Sequence, residues 1–269
     1  MGVLFIVGTP IGNLEDVTLR ALRVLKEVDV ILCEDTRVTK RLLERYAIAH
    51  KQLTTYNEQR SGITAEKVVG WLEGGRDVAL VTDAGMPGIS DPGAKLVSLL
   101  VEKFRSYAGR PTDLQRAERA KLKNLPTVVT VPGPSALTAA LSIAGVPVHD
   151  FVFLGFLPHK KGRETLFREI AASERTMIFY ESPHRIVKTL ESLEKHLDSS
   201  QKGSTFLADG KVEPFRSRRI IICRELTKIH EEVVSGNPAE LLEFFKNNPE
   251  KVRGEFVVIV ADERRYIRR

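Results

Sequence analysis

The sequence predicts an α/β protein built from two α/β domains, and three observations carry that prediction. Short apolar runs rich in Val, Ile and Leu recur along the chain, each with the composition of a buried strand, and stretches with helical apolar spacing separate them. Run after run in the first half ends in a polar or glycine-rich group, at 8–13, 34–37, 57–60, 82–93 and 132–135. The 269 residues suffice for two domains of ordinary size, and the pattern restarts after Gly145-Val146-Pro147, which divides the chain into an N-terminal domain of 1–147 and a C-terminal domain of 148–269.

Val3 to Val7 reads as the first strand, followed by the turn Gly8-Thr9-Pro10-Ile11-Gly12-Asn13. A helix with Leu19, Leu22, Leu25 and Val28 on one stripe comes next, with Asp16 or Thr18 as its cap. Val30 to Cys33 is the second strand and runs straight into Glu34-Asp35-Thr36-Arg37. A helix through Leu42, Leu43 and Tyr46 leads to a short strand near Leu53 to Tyr56. The helix over 64–73 stops at Gly74-Gly75.

Val78 to Val81 is the strand before the most informative stretch, TDAGMPGISDPG at Thr82 to Gly93. Its glycines at 85, 88 and 93 permit positive φ or close backbone approach, while Pro87 and Pro92 stiffen it, a combination suited to holding a ligand. A helix with Leu96, Leu99, Leu100 and Phe104 follows. The charged stretch 105–126 reads as an insertion, and Val128 to Val131 is a strand that ends in Pro132-Gly133-Pro134-Ser135.

The second half opens with Phe151 to Leu154, then Gly155-Phe156-Leu157-Pro158 and a basic turn from His159 to Arg163. A helix over 163–172, the strand Thr176 to Tyr180, and a helix with Ile186, Leu190 and Leu193 come next. After an irregular polar stretch over 198–218, Ile220 to Cys223 is a strand, Ala239 to Phe245 a helix and Glu255 to Val260 the last strand. Strands alternating with helices imply a largely parallel sheet, and ligands bind outside the carboxyl ends of such strands, so one cleft lined by the strand-end loops is expected.

Composition narrows the chemistry. A net charge of +6 favours a polyanionic partner. Basic clusters lie at His159–Arg163, Arg216–Arg219 and Arg264–Arg269. No apolar run approaches the ~20 residues of a bilayer span, no secretory leader is legible, and Cys33 and Cys223 sit apart inside apolar runs, so a soluble protein of the reducing cytoplasm is expected. The chain contains no G-x-G dinucleotide fingerprint, no P-loop and no metal-ligand histidine spacing, and a metal-free site is expected.

With these loops in view, the sequence resembles the tetrapyrrole methylase superfamily. The resemblance rests on Gly8–Asn13, Glu34-Asp35-Thr36-Arg37, Asp83-Ala84-Gly85, Pro87 to Gly93, Pro132 to Ser135, Gly155 to Pro158, Tyr180-Glu181-Ser182-Pro183-His184-Arg185, Glu225-Leu226-Thr227-Lys228 and Gly254-Glu255, in order along nearly the whole chain. It departs from the family pattern at Thr82, Met86 and Tyr56, the last two placed in the expected cleft, and in the stretches 105–126 and 198–217.

The resemblance implies the cofactor S-adenosylmethionine, lying in a cleft between the two domains and held by Pro10, Gly12, Asp83, Ala84, Gly85, Ile89, Ser135, Ala136, Tyr180 and Leu226. It implies a homodimer, and 2′-O-methylation of a cytidine ribose in small-subunit rRNA within an assembled or nearly assembled 30S particle. Methylation of a small tetrapyrrole and cofactor binding without catalysis are the alternatives. A ribose hydroxyl needs its proton accepted during attack, and Asp35 or Glu58 could do so. The other reading of Asp35 is an ion pair with Arg37 or a helix cap, and Glu181 and His184 read more readily as structural. RNA phosphates would meet Arg37, Lys160, Lys161 and Arg163.

Overall fold

The computed structural model describes residues 1–49, 52–56, 61–89, 93–107, 127–146, 148–201 and 218–262. The chain divides into two compact units, Met1–Ser135 and Ala136–Arg269.

In the first unit the strands β1 (Val3–Val7), β2 (Val30–Cys33), β3 (Gln52–Thr55), β4 (Val78–Leu80) and β5 (Thr127–Val131) form a sheet of order β3-β2-β4-β1-β5. Every pairing is parallel, with Leu4 opposite Val78 and Val128, and Val30 opposite Gln52 and Val78. Side chains alternate across the pleat. Leu4, Ile6, Val30, Leu32, Val78 and Leu80 therefore pack on Val68 and Leu72 of α3 (Ser61–Glu73) and on Leu96 and Leu100 of α4 (Gly93–Tyr107). Their neighbours Val7, Ile31, Cys33, Ala79 and Val131 pack on Ala21, Val24 and Leu25 of α1 (Leu19–Glu27) and on Leu42 and Leu43 of α2 (Thr36–Arg45). The sheet is thus covered on both faces, which is why its strands read as continuous apolar runs rather than alternating ones.

Local chemistry sets the helix starts. Of the two caps expected for α1, Thr18 serves, its hydroxyl accepting from Ala21 N at 3.0 Å. Asp35 caps α2 by accepting from Arg37 N at 2.8 Å.

The second unit contains α5 (Ala136–Ile143), β6 (Phe151–Phe156), α6 (Arg163–Ala172), β7 (Thr176–Glu181), α7 (Ile186–Gln201), β8 (Arg218–Arg224), β9 (Glu232–Gly236), α8 (Pro238–Asn247) and β10 (Phe256–Asp262). Its sheet has the order β6-β7-β10-β8-β9, with β6 and β7 parallel and the remaining pairs antiparallel. The parallel reading therefore holds for the first sheet, while the second is mixed. Phe167 and Ile170 of α6, Leu190, Leu193 and Leu197 of α7, and Leu241 and Phe245 of α8 fill its core against Phe179, Ile222 and Val258. A capping box of Asn237 and Glu240 opens α8, with Pro238 in its first turn.

Strand β9 has no counterpart in the sequence reading. Five residues at a sheet edge, EVVSG, with alternating burial and a glycine at the end, carry too little apolar pattern to be seen alone. Helix α5 falls in the second unit, where Ala140 O accepts from Cys223 Sγ at 3.9 Å, so the units divide before the boundary expected at 147. Pro147, Glu58, the tail from Arg264 and most of the two inserted stretches lie outside the described residues.

Candidate active site

In the first unit all five strands are parallel, so the loops after β1, β2, β4 and β5 emerge at one edge of the sheet. They are tied to one another by backbone. Thr9 and Gly85 exchange hydrogen bonds, Thr9 N to Gly85 O at 3.0 Å and Gly85 N to Thr9 O at 3.1 Å, joining the β1 and β4 loops. The buried Thr9 hydroxyl donates to Thr82 O at 3.0 Å, and the Thr82 hydroxyl lies 3.2 Å from Ala84 O and 3.3 Å from Gly85 O. A hydroxyl is needed at 82, and threonine supplies it.

Glycine is required where the β1 and β5 loops touch. A Cβ on Gly8 would stand 2.7 Å from Gly133 Cα, and one on Gly133 would stand 2.8 Å from Gly8 Cα. Gly85, at φ 87°, turns the β4 loop back toward Thr9 in the left-handed region. Beneath Pro87 and Gly88 a cavity of about 410 Å³ opens between Ile6, Leu80 and the first turns of α4 at Ala94 and Val97.

The β2 loop joins through two aspartates. Asp35 N donates to Asp83 Oδ1 at 3.0 Å, while the Asp35 carboxylate takes Arg37 Nε at 3.1 Å and a terminal guanidinium nitrogen at 2.6 Å. Both structural roles weighed for Asp35 are therefore present together, an ion pair and a helix cap. Arg37, aided by its own backbone N–H, holds the Asp35 carboxyl down at about 2. Desolvation pushes Asp83 the other way, to a raised pKa, with the Asp35 N–H opposing and the Asp35 charge reinforcing the rise.

Pro10, Gly12, Asp35, Asp83, Ala84, Gly85, Ile89 and Ser135 thus belong to loops at one edge of the first sheet, with Arg37 beside them in the first turn of α2. Tyr56, expected to face the cleft, is instead 1% exposed and packed in the core under α3 and α4, because its backbone N–H continues the β2 pairing to Cys33 O at 2.8 Å. Met86 packs against the same core.

In the second unit β6, β7 and β8 run in one direction, so the loops holding Lys160, His184 and Leu226 also share an edge. Tyr180 receives two rings edge-on, Phe153 at 5.0 Å and Phe156 at 5.4 Å, both from β6, whose register shifts between these two residues where Gly155 adopts φ 62°. Leu226, 7% exposed, sits between two non-glycine residues at positive φ, Glu225 at 51° and Thr227 at 65°. Such backbone persists only when surroundings hold it. Here Glu225 accepts from Lys228 Nζ at 2.8 Å and Glu255 N at 2.9 Å, and Lys228 also reaches Glu255 at 2.9 Å. Ala136 opens α5.

Lys160 and Lys161 are exposed on the turn before α6. Arg163, expected to point outward to phosphate, does not: its side chain is 13% exposed and is held by Glu181, Thr189 and Pro158 O. The sequence offered a signal for this, an arginine and a glutamate at the ends of consecutive elements, but nothing in spacing tells a buried pair from two surface charges. Among the described residues no group of histidine, cysteine, aspartate and glutamate side chains could hold a metal ion, and no helix is long and apolar enough to cross a membrane.

Residues 3–242 match the family model described as Tetrapyrrole (Corrin/Porphyrin) Methylases. The chain belongs to this family. Among curated relatives, this tetrapyrrole methylase family member is 40% identical over 261 residues to the Ribosomal RNA small subunit methyltransferase I of Thermotoga maritima, covering 97% of this chain and 99% of the relative. It is 36% identical to the protein of the same name from Bacillus subtilis, covering 97% and 75%. Its fold is that of the methyltransferase CobJ, at TM-score 0.62, 20% identity and coverage of 98% and 95%. It is also that of the uroporphyrin-III C-methyl transferase from Thermus thermophilus complexed with S-adenyl homocysteine, at TM-score 0.56, 18% identity and 97% coverage of both chains.

Proposed function

We propose that this family member is an S-adenosylmethionine-dependent methyltransferase that methylates the 2′-hydroxyl of a cytidine ribose in small-subunit rRNA, acting in the cytoplasm on an assembled or nearly assembled 30S particle. The observation that carries the substrate is the near end-to-end similarity at 40% identity to a protein named for that rRNA. Methylation of a small tetrapyrrole is the weaker reading, since the solved structures named for uroporphyrin or precorrin chemistry are like this chain only at 14–19% identity.

The residues of the first unit fit the methyl donor by their chemistry. Asp83 offers a carboxylate acceptor for an amino group or ribose hydroxyls, and the close Gly8–Gly133 approach keeps backbone accessible where the β1 and β5 loops meet. Bound there, S-adenosylmethionine supplies an electrophilic methyl on its sulfonium. The donor is proposed to be held by Pro10, Gly12, Asp83, Ala84, Gly85, Ile89 and Ser135, with Ala136, Tyr180 and Leu226 contributing from the second unit.

An in-line displacement asks above all for positioning of the ribose oxygen. Asp35 and Glu58 are the proposed acceptors of its proton. A carboxylate held near 2 is always ionised at neutral pH and a weak base, so Asp35 suits a hydrogen bond that orients the hydroxyl, its proton leaving late. Lys160 and Lys161, with the exposed Arg37, are the proposed phosphate contacts. A homodimer completes the proposal.

Methyl transfer from radiolabelled S-adenosylmethionine to 30S particles isolated from cells lacking this protein tests the reading. Label is expected on a single cytidine ribose of the rRNA. Label on a tetrapyrrole alone, or donor binding with no transfer to either, would overturn it.

A further inference from the structure

The loop carrying Lys160 and Lys161 rests on a charged cluster that the reaction itself does not use. Glu181, at the end of β7, has no exposed side-chain surface, yet two arginines meet it: Arg163 at 3.3 Å and Arg185 at 2.7 Å. Its remaining acceptor capacity is filled by the Thr189 hydroxyl at 2.6 Å and by Ser182 N at 2.8 Å. Each arginine then reaches one carbonyl of the same loop. Arg163 donates to Pro158 O at 3.1 Å and Arg185 donates to Leu157 O at 2.8 Å. The Arg163 guanidinium also lies 5.0 Å from the centre of the Phe167 ring.

Stability alone does not explain this arrangement. A buried ion pair gains little over well-packed apolar side chains of similar volume, because desolvating the charges offsets their attraction. What the cluster supplies that apolar packing cannot is direction: two guanidinium forks fix the carbonyls of Leu157 and Pro158, the two residues that lead into the basic turn. The planar arginine fork carries separate donors that can hold a carboxylate and a carbonyl at once, whereas the lysine ammonium is a single point on a flexible stem. Fixing a loop in its binding geometry lowers the ordering cost that each lysine would otherwise impose on association.

We propose that Glu181, Arg163 and Arg185 are positioning residues that hold the 157–162 turn so that Lys160 and Lys161 face the phosphate backbone of the RNA, an inference that rests on the rRNA reading above. Arg163 then acts on RNA affinity through the lysines and makes no phosphate contact of its own.

The test is a double-mutant cycle read as the salt dependence of binding to 30S particles. Replacing Lys160 and Lys161 together by Ala should lower the slope of log K against log salt by roughly 0.7–0.9 for each phosphate that is no longer neutralised. Arg163→Lys keeps the net charge. It should lower the slope toward that of the lysine-free protein, leave S-adenosylmethionine affinity unchanged, and have no further effect once both lysines are gone. Arg185→Lys should behave alike and guards against a local failure of one variant to fold.

An Arg163→Lys effect that adds in full to that of the double lysine replacement would make Arg163 a direct contact and overturn the proposal. Parallel falls in cofactor affinity and melting temperature would reduce the cluster to ordinary structure and overturn it equally. If removing the lysines leaves RNA binding unchanged while methyl transfer to 30S particles persists, the clamp proposal falls and the rRNA reading stands. If transfer to rRNA is absent altogether, it is the rRNA reading that fails.

Discussion

Asp35 donates its backbone N–H to the Asp83 carboxylate across 3.0 Å, so two loops that end different strands share one acidic corner. The two carboxyls sit close, yet their surroundings drive them apart: Arg37 lowers Asp35 to about 2, and burial raises Asp83.

Opposite pH signatures are expected from this pair. Asp35, depressed from an ordinary 3.8, contributes stability that is present above that value and lost as pH falls toward 2. Asp83, raised, does the reverse: its ionisation costs stability that is absent below 3.8 and complete above its folded pKa. Carboxyl NMR titration should show Asp35 returning toward 3.8 in Arg37→Ala. Denaturant melts should show Asp83→Asn more stable than the parent at pH 7 and no more stable at pH 3, with weaker S-adenosylmethionine binding throughout.

Gly8→Ala and Gly133→Ala should each cripple donor binding. The added methyl would stand only 2.7–2.8 Å from the Cα of the opposing glycine, and on Gly8 also 2.6 Å from Met86 Sδ, an overpacking that costs about 1–3 kcal/mol. Gly75→Ala is the control, at φ 82° with open space around it, and should cost only about 1–2 kcal/mol of stability and no cofactor affinity. Calorimetry on the three variants separates site damage from backbone strain.

Gly254→Ala should destabilise the second unit and loosen the loop of Leu226. The new Cβ would run into the Glu225 carboxyl group while Gly254 itself sits at φ 88°. Because Glu225 and Thr227 each store roughly 1–3 kcal/mol of backbone strain, breaking the Glu225–Lys228 ion pair should let the loop relax. Faster amide exchange at 225–231 with unchanged exchange in β7 is the expected result.

Donor binding should be indifferent to chelators. The loop edge offers carboxylates, hydroxyls and backbone, and positioning is the chemistry asked of it. Calorimetric titration of S-adenosylmethionine with and without a strong chelator should give the same affinity; a weaker affinity on chelation would demand a metal ligand set.

The sequence by itself determined the alternation of elements, the positions of the strand-end loops and the family. Those follow from short-range signals: an apolar run buried on both faces looks the same wherever the sheet places it, and Gly8, Gly85 and Asp35 stand beside the strands they follow. Tertiary structure alone decided which loops meet, because the Gly8–Gly133 and Asp35–Asp83 contacts join residues from different strands of one sheet. It decided that α5 joins the second unit and that β9 exists, since an edge strand is stabilised by the ladder to Ile220–Arg224 rather than by its own five residues. It also turned Arg163 inward and buried Tyr56. A charge or a ring in sequence carries no record of its depth; burial is settled by what packs over it, and for Arg163 that is a glutamate eighteen residues away.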